Sequence, residues 1–175
     1  MAHSAFSMAY KILVLLIFCA LVAGCASPGR TPADARSAGT DARRIPSGAD
    51  RSEALLMALM ALGVDYRIGG RSSATGFDCS GLVAHVYEEA YGVRLPRTVL
   101  GQSETGVAVS AHQIEPGDLL FYDTLGRPFS HVGIYLGDGK FVHAPKTGST
   151  VRVENAQSTY WTKRFNGARR VEVRL

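Results

Sequence analysis

His131-Val132-Gly133-Ile134-Tyr135-Leu136-Gly137-Asp138-Gly139-Lys140-Phe141-Val142-His143-Ala144 is the stretch that decides the fold. Two runs rich in β-branched and aromatic residues flank Gly137-Asp138-Gly139, residues that accept the backbone of a tight turn, so the stretch predicts a β-hairpin. Leu119-Leu120-Phe121-Tyr122 precedes it, after the turn Glu115-Pro116-Gly117-Asp118, as another strand. Val151-Arg152-Val153 and Arg170 to Val173 predict two more, with a short helix over Tyr160 to Phe165 between them. The pattern upstream is helical. Ser52 is a candidate N-cap for a helix carrying Leu55, Leu56, Leu59, Met60 and Leu62, ended by Gly63. A second helix starts at Asp78 or Cys79 and runs to Tyr91, where Gly92 stops it. Its apolar stripe is Leu82, Val83, Val86, Tyr87 and Ala90, with His85, Glu88 and Glu89 on the wet face. Helices first and strands afterwards predict an α+β fold, with N-terminal helices packed on a central antiparallel sheet.

The 175 residues suffice for one ordinary domain and an export signal. Composition is globular, at 46% hydrophobic and 19% charged, with net charge +4. The basic excess is spread along the chain and shows no interleaving with aromatics, which argues against nucleic acid as a partner. Residues 1–24 read as a lipoprotein signal peptide. Ile12 to Ala23 is nearly all apolar, too short to span a bilayer at about 20 residues, and follows Lys11. Leu21-Val22-Ala23-Gly24-Cys25 looks like a bacterial lipobox, so Cys25 is the expected lipidation site, with acyl chains as the membrane anchor. Ala26 follows it, where aspartate would retain a lipoprotein at the inner membrane, so the expected location is the periplasmic face of the outer membrane. Residues 25–49 hold Ile45 as their only large apolar side chain and read as a flexible tether. The folded domain is expected over residues 50–175, as a monomer.

Of three cysteines, Cys19 leaves with the signal and Cys25 is lipidated, so Cys79 remains as the one free thiol. It falls in the first helical turn, where unpaired N–H groups and the helix dipole favour a thiolate. It also shares a face with Leu82, Val83 and Val86 and so points at the sheet, where a base should be sought. His131 and His143 are the candidates. If the turn leaves an odd number of unpaired residues, Gly133 faces His143 and His131 lies on the diagonal of the same face. A strict two-residue turn puts the histidines on opposite faces unless a bulge restores the register. The alternative chemistry is a zinc site of Cys79, His131 and His143, whose ligands lack a short chelating pair. His112 sits in a loop and His3 in the signal, away from this group.

Phe77-Asp78-Cys79-Ser80-Gly81-Leu82-Val83, Pro116-Gly117-Asp118-Leu119-Leu120-Phe121, His131 to Gly137 and Phe141-Val142-His143-Ala144 together resemble the NlpC-type cysteine peptidases of bacterial cell walls. Leu95-Pro96-Arg97-Thr98 and the run from Tyr160-Trp161 to Arg170 fit as well. The likeness spans the whole domain and is greatest to the Spr-like lipoprotein murein endopeptidases. It implies a papain-like α+β fold with no metal or cofactor. It assigns Cys79 as nucleophile, His131 as general base and acid, and His143 as the residue that orients His131. It places the Tyr66 hydroxyl beside the cysteine at the oxyanion, with Asp78 and Ser80 shaping the substrate cleft and capping the helix. Arg97 is either structural or in contact with substrate. The implied activity is hydrolysis of D-alanyl–meso-diaminopimelate cross-links or stem-peptide bonds of peptidoglycan. Cleavage of the γ-D-glutamyl–diaminopimelate bond is the alternative, and an inactive wall-binding lipoprotein is the alternative of another class.

Overall fold

The computed structural model describes residues 51–173. The signal peptide, Cys25 and the tether lie outside the described residues. The chain forms α1 (Ser52–Met60), a two-residue ribbon of β1 (Arg71–Ser72) and β2 (Gly76–Phe77), α2 (Cys79–Tyr91) and α3 (Val99–Ser103). Then come β3 (Val107–Val109), a 3₁₀ turn over Ala111–Gln113 that carries His112, β4 (Leu119–Tyr122), β5 (His131–Gly137) and β6 (Lys140–His143). The chain continues through β7 (Arg152–Asn155), α4 (Thr159–Thr162) and β8 (Phe165–Arg170). Six strands build one sheet in the order β3-β8-β4-β5-β6-β7, antiparallel at every pairing. The architecture is α+β, as the order of helical and strand patterns predicts.

Two clusters cover the two faces of the sheet. On one face, Leu82, Val83 and Val86 of α2 pack with Leu119, Phe121, Val132, Ile134 and Val142. On the other, Leu120, Tyr122 and Phe141 pack with Trp161 and Ala168. That double covering is why Leu119-Leu120-Phe121-Tyr122 is apolar at every position instead of alternating. α2 matches the expected boundaries. Asp78 caps its start by accepting the Gly81 N–H, and Gly92 ends it in the left-handed conformation at φ 65°.

Several expectations are corrected. The N-cap of α1 is Arg51, not Ser52, and no side chain caps it. The buried residues of α1 are Ala54 and Ala58, continued by Ala61 at its C-cap, while Leu56 and Met60 are 51% and 70% exposed. Small residues let α1 lie close against the core, and of the expected stripe only Leu55 is partly buried. His85 is not on a fully wet face, since it is partly buried with its ring 5.0 Å from that of Phe77. The last strand is Phe165–Arg170, not Arg170 to Val173, and the short helix before it ends at Thr162. The strand starts early because β8 pairs with both β3 and β4, in registers that bring Ala168 opposite Val109 and Leu120.

A buried ionic knot ties α1 to the sheet. The fully buried Asp118 carboxylate accepts from Arg51 at 3.0 Å and from Arg170 at 2.9 Å through both oxygens. These hydrogen bonds offset the cost of burying the charge.

Candidate active site

The hairpin solves its parity problem with a bulge. Gly137 pairs Lys140 across a two-residue turn, but the register shifts before Tyr135 pairs Phe141 and Ile134 pairs Val142. Leu136 is the extra residue. Continuing that register sets Gly133 opposite His143, with His131 on the diagonal of the same face. The imidazoles meet there, His131 Nε2 to His143 Nδ1, at 2.7 Å, with ring planes at 86°. Gly133 is required beside them: a Cβ there would lie 2.6 Å from the Phe141 ring and 2.8 Å from the Val142 carbonyl oxygen. The Phe141 ring in turn rests 4.8 Å from that of His143.

Both histidines are buried, and burial holds each imidazole well below the ordinary histidine range. The proximity of His143 adds to the depression at His131, while the Glu154 carboxylate opposes it at both rings. At neutral pH the pair is uncharged.

Cys79 opens α2, partly buried against the helix-side core. The backbone amides of Val132, Ser80 and Cys79 itself reach its sulfur and favour the thiolate. Val132 follows His131 directly, so the helix start is docked on β5 one residue from the imidazole. Burial outweighs the amides, with the Asp78 carboxylate adding to it, and pushes the thiol up to about 11. The expectation that the helix start by itself lowers the pKa of Cys79 is therefore corrected. The dipole acts on a sulfur that has lost its water, beside an anionic cap.

Tyr66 joins the site through a bridge that pairs it with Phe77, next to Asp78. Its phenol titrates higher than usual, first through burial and then through the proximity of Cys79 and Asp78, so it stays protonated as a donor. Asp78 and Ser80 hold the frame. Asp78 accepts the Gly81 N–H at 2.6 Å, the Gly69 N–H at 2.9 Å and the Arg97 guanidinium at 3.1 Å. Ser80 is buried and donates to the Arg97 carbonyl at 2.7 Å. Arg97 also donates to the Gly70 carbonyl at 3.4 Å, so it staples the Gly69-Gly70 loop to the start of α2.

Two further residues were not singled out for this site from sequence. Glu154 on β7 lies with Oε1 3.4 Å from His143 Nε2, a buried nitrogen that makes no hydrogen bond among the described residues. Trp161 on α4 donates its indole N–H to Glu154 Oε2 at 2.6 Å and stacks on His131, rings 5.7 Å apart at 25°. No periodicity marks Glu154. In its strand it reads as one more charged residue, and only the β6–β7 pairing brings it to the histidines. Among the described residues, no group of three His, Cys, Asp or Glu side chains is arranged to hold a metal ion.

The model of the NlpC/P60 family matches residues 63–170. The chain belongs to the NlpC/P60 family. That stretch holds Tyr66, Cys79, both histidines and the whole sheet. Among relatives, murein DD-endopeptidase MepS/murein LD-carboxypeptidase of Escherichia coli is 45% identical over 109 residues, covering 62% of this chain and 56% of the relative. Murein DD-endopeptidase MepH of Escherichia coli is 39% identical, over 65% of this chain and 43% of the relative. The γ-DL-glutamyl hydrolase of Bacillus subtilis is 34% identical over 91% of this chain and 36% of the relative. The chain thus spans about half the length of the first two. Among solved structures, the NlpC/p60 domain of the peptidoglycan hydrolase SagA superposes with a TM-score of 0.60 at 32% identity, covering 74% of this chain and 100% of that domain.

Proposed function

We propose that this NlpC/P60 protein is a cysteine endopeptidase that hydrolyses peptide bonds in peptidoglycan, with Cys79 as nucleophile, His131 as base and acid, and His143 as its orienting partner. The observation that carries the reading is the 2.7 Å contact between the histidines, with the helix-start Cys79 held against the amide of Val132, the residue after His131. His131 uses Nε2 for His143, so Nδ1 is the nitrogen turned to catalysis.

Resting thiol and imidazole are both neutral, so the thiol proton moves to His131 Nδ1 as sulfur attacks the scissile carbonyl. The Cys79 N–H and the Tyr66 hydroxyl face the developing oxyanion. His131 then passes the proton to the leaving amine, and water hydrolyses the thioester to free Cys79. Asp78, Ser80 and Arg97 hold the nucleophile's helix and the Tyr66 loop in register.

The murein endopeptidase relatives support the D-alanyl–meso-diaminopimelate cross-link as substrate. The γ-D-glutamyl–diaminopimelate bond is the second reading, favoured by the γ-DL-glutamyl hydrolase that aligns along 91% of this chain. Lipidation at Cys25, a tether over residues 25–49 and an outer-membrane site facing the periplasm complete the proposal, supported by the lipobox and by the envelope substrate of the relatives. Wild type and Cys79→Ala are compared on purified muropeptides, with products identified by mass. Cleavage by wild type alone is expected, and the product masses name the bond. Equal products from both refute the enzyme.

A further inference from the structure

We propose that Glu154 is a positioning residue that sets the tautomer of His143 and, through it, that of His131. The inference rests on the Cys79–His131–His143 reading above and extends the relay by one member.

Two neutral histidines sharing one short contact hold a single hydrogen between them. There are two ways to arrange it. In the first, His143 carries its proton on Nε2, the nitrogen 3.4 Å from the Glu154 Oε1 carboxylate oxygen and so within reach of its charge. Its Nδ1 then accepts from His131 Nε2–H across the 2.7 Å contact. His131 Nδ1 is left with a lone pair, ready to take the thiol proton. In the second, His143 donates from Nδ1, so His131 carries its own proton on Nδ1 and cannot act as a base. That arrangement also turns the bare lone pair of His143 Nε2 against a carboxylate, inside the protein. Glu154 therefore selects the productive arrangement and excludes the other.

The carboxylate is itself held. Trp161 Nε1–H donates to Oε2 at 2.6 Å, and Arg152 donates to Oε1 from Nε at 2.6 Å and from Nη2 at 2.5 Å. Those bonds keep it ionised, with its pKa below the usual carboxylate range. Trp161 also lies on the His131 ring, so one side chain sets both the acceptor and the base. In the β6–β7 register Glu154 stands opposite Phe141 and Arg152 opposite His143, which puts both charges on the histidine face. The groups bearing on the pair are Glu154 and Arg152 from β7 and, at the nucleophile, Cys79, Asp78 and Tyr66. In the chemical step the S–H bond breaks and the carbonyl π pair moves to oxygen, while one S–C bond forms and one N–H forms at His131 Nδ1. The other two hydrogens stay in place, and Glu154 remains a carboxylate that faces the new imidazolium through His143.

The test is two-bond ¹H–¹⁵N correlation of the histidine rings at pH 7, with kcat and KM on a defined muropeptide, for wild type and Glu154→Gln. Wild type is expected to carry Nε2–H on both histidines. Glu154→Gln should show mixed tautomers and a kcat about ten- to hundredfold lower, with KM within about twofold. A Glu154 that merely tied β7 to α4 would lower thermal stability and leave tautomers and kcat unchanged. Unchanged tautomers or unchanged kcat in folded Glu154→Gln overturn the proposal. So does an Nδ1–H on wild-type His143, a readout that stands if the variant does not fold. If wild type and Cys79→Ala yield equal products, the peptidase reading falls, while the ring tautomers still decide the role of Glu154.

Discussion

The pKa of Cys79 offers the sharpest test of the site, because position in the helix and burial push it in opposite directions. Burial and the Asp78 carboxylate raise it from 9.0 to about 11. At pH 7 that leaves a thiolate fraction of about 10⁻⁴, against about 10⁻² for the unperturbed thiol, so alkylation should be about 100-fold slower than in the unfolded chain. Iodoacetamide reacts with the thiolate, and mass mapping of the peptide that contains Cys79 separates it from Cys19 and Cys25. The rate should climb about tenfold per pH unit from pH 7 to 10 and level only near 11. Asp78→Asn keeps an oxygen to accept the Gly81 N–H but loses the charge, so its inflection should move down. Stability carries the same signature with the opposite reading. The folded thiol holds its proton to higher pH than the unfolded one, so its contribution is complete below about pH 9 and is lost as pH rises through 11. Relative to Cys79→Ala, wild type should lose up to about 2–3 kcal/mol over that window. An alkylation inflection at or below about pH 8.5 would refute the account, since it would mean that the amides at the helix start outweigh desolvation.

Gly133→Ala should cost about 1–3 kcal/mol in urea unfolding and lower kcat, because its Cβ would meet Phe141 at 2.6 Å and displace the ring that supports His143. Asp118→Ala leaves Arg51 buried without its carboxylate and should destabilise by about 3–5 kcal/mol, while the bond that is cut stays the same. Arg97→Ala removes the donors that tie Asp78 to the Gly70 carbonyl and should lower the melting temperature, with the cleavage site unaltered by product mass.

Much of this site lies in short local patterns. Asp78, Cys79 and Gly92 read as cap, first turn and stop of one helix because capping and glycine's left-handed conformation act over a few residues. The stripe from Leu82 to Tyr87 is periodic and buried as expected. The α1 stripe failed by the same logic. Five large apolar residues outweighed three alanines in the pattern, yet the alanines face the core, since close approach to α2 selects for size as well as polarity. The hairpin was legible as a hairpin, but its parity was not. The bulge at Leu136 is set from the turn that precedes β4, where Gly117 donates to the Tyr135 carbonyl and Tyr135 donates to that of Asp118. No local rule contains those partners.

By itself, then, the sequence determined the class of fold, the helix that carries the nucleophile and the two histidines worth pairing, because capping, turn chemistry and periodicity are short-range. Tertiary structure alone decided that the histidines share a face at 2.7 Å, that Cys79 rests as a neutral thiol and that Glu154 stands behind the pair. Register, desolvation and cross-strand contact depend on segments far apart in the chain, and only the assembled sheet brings those segments together.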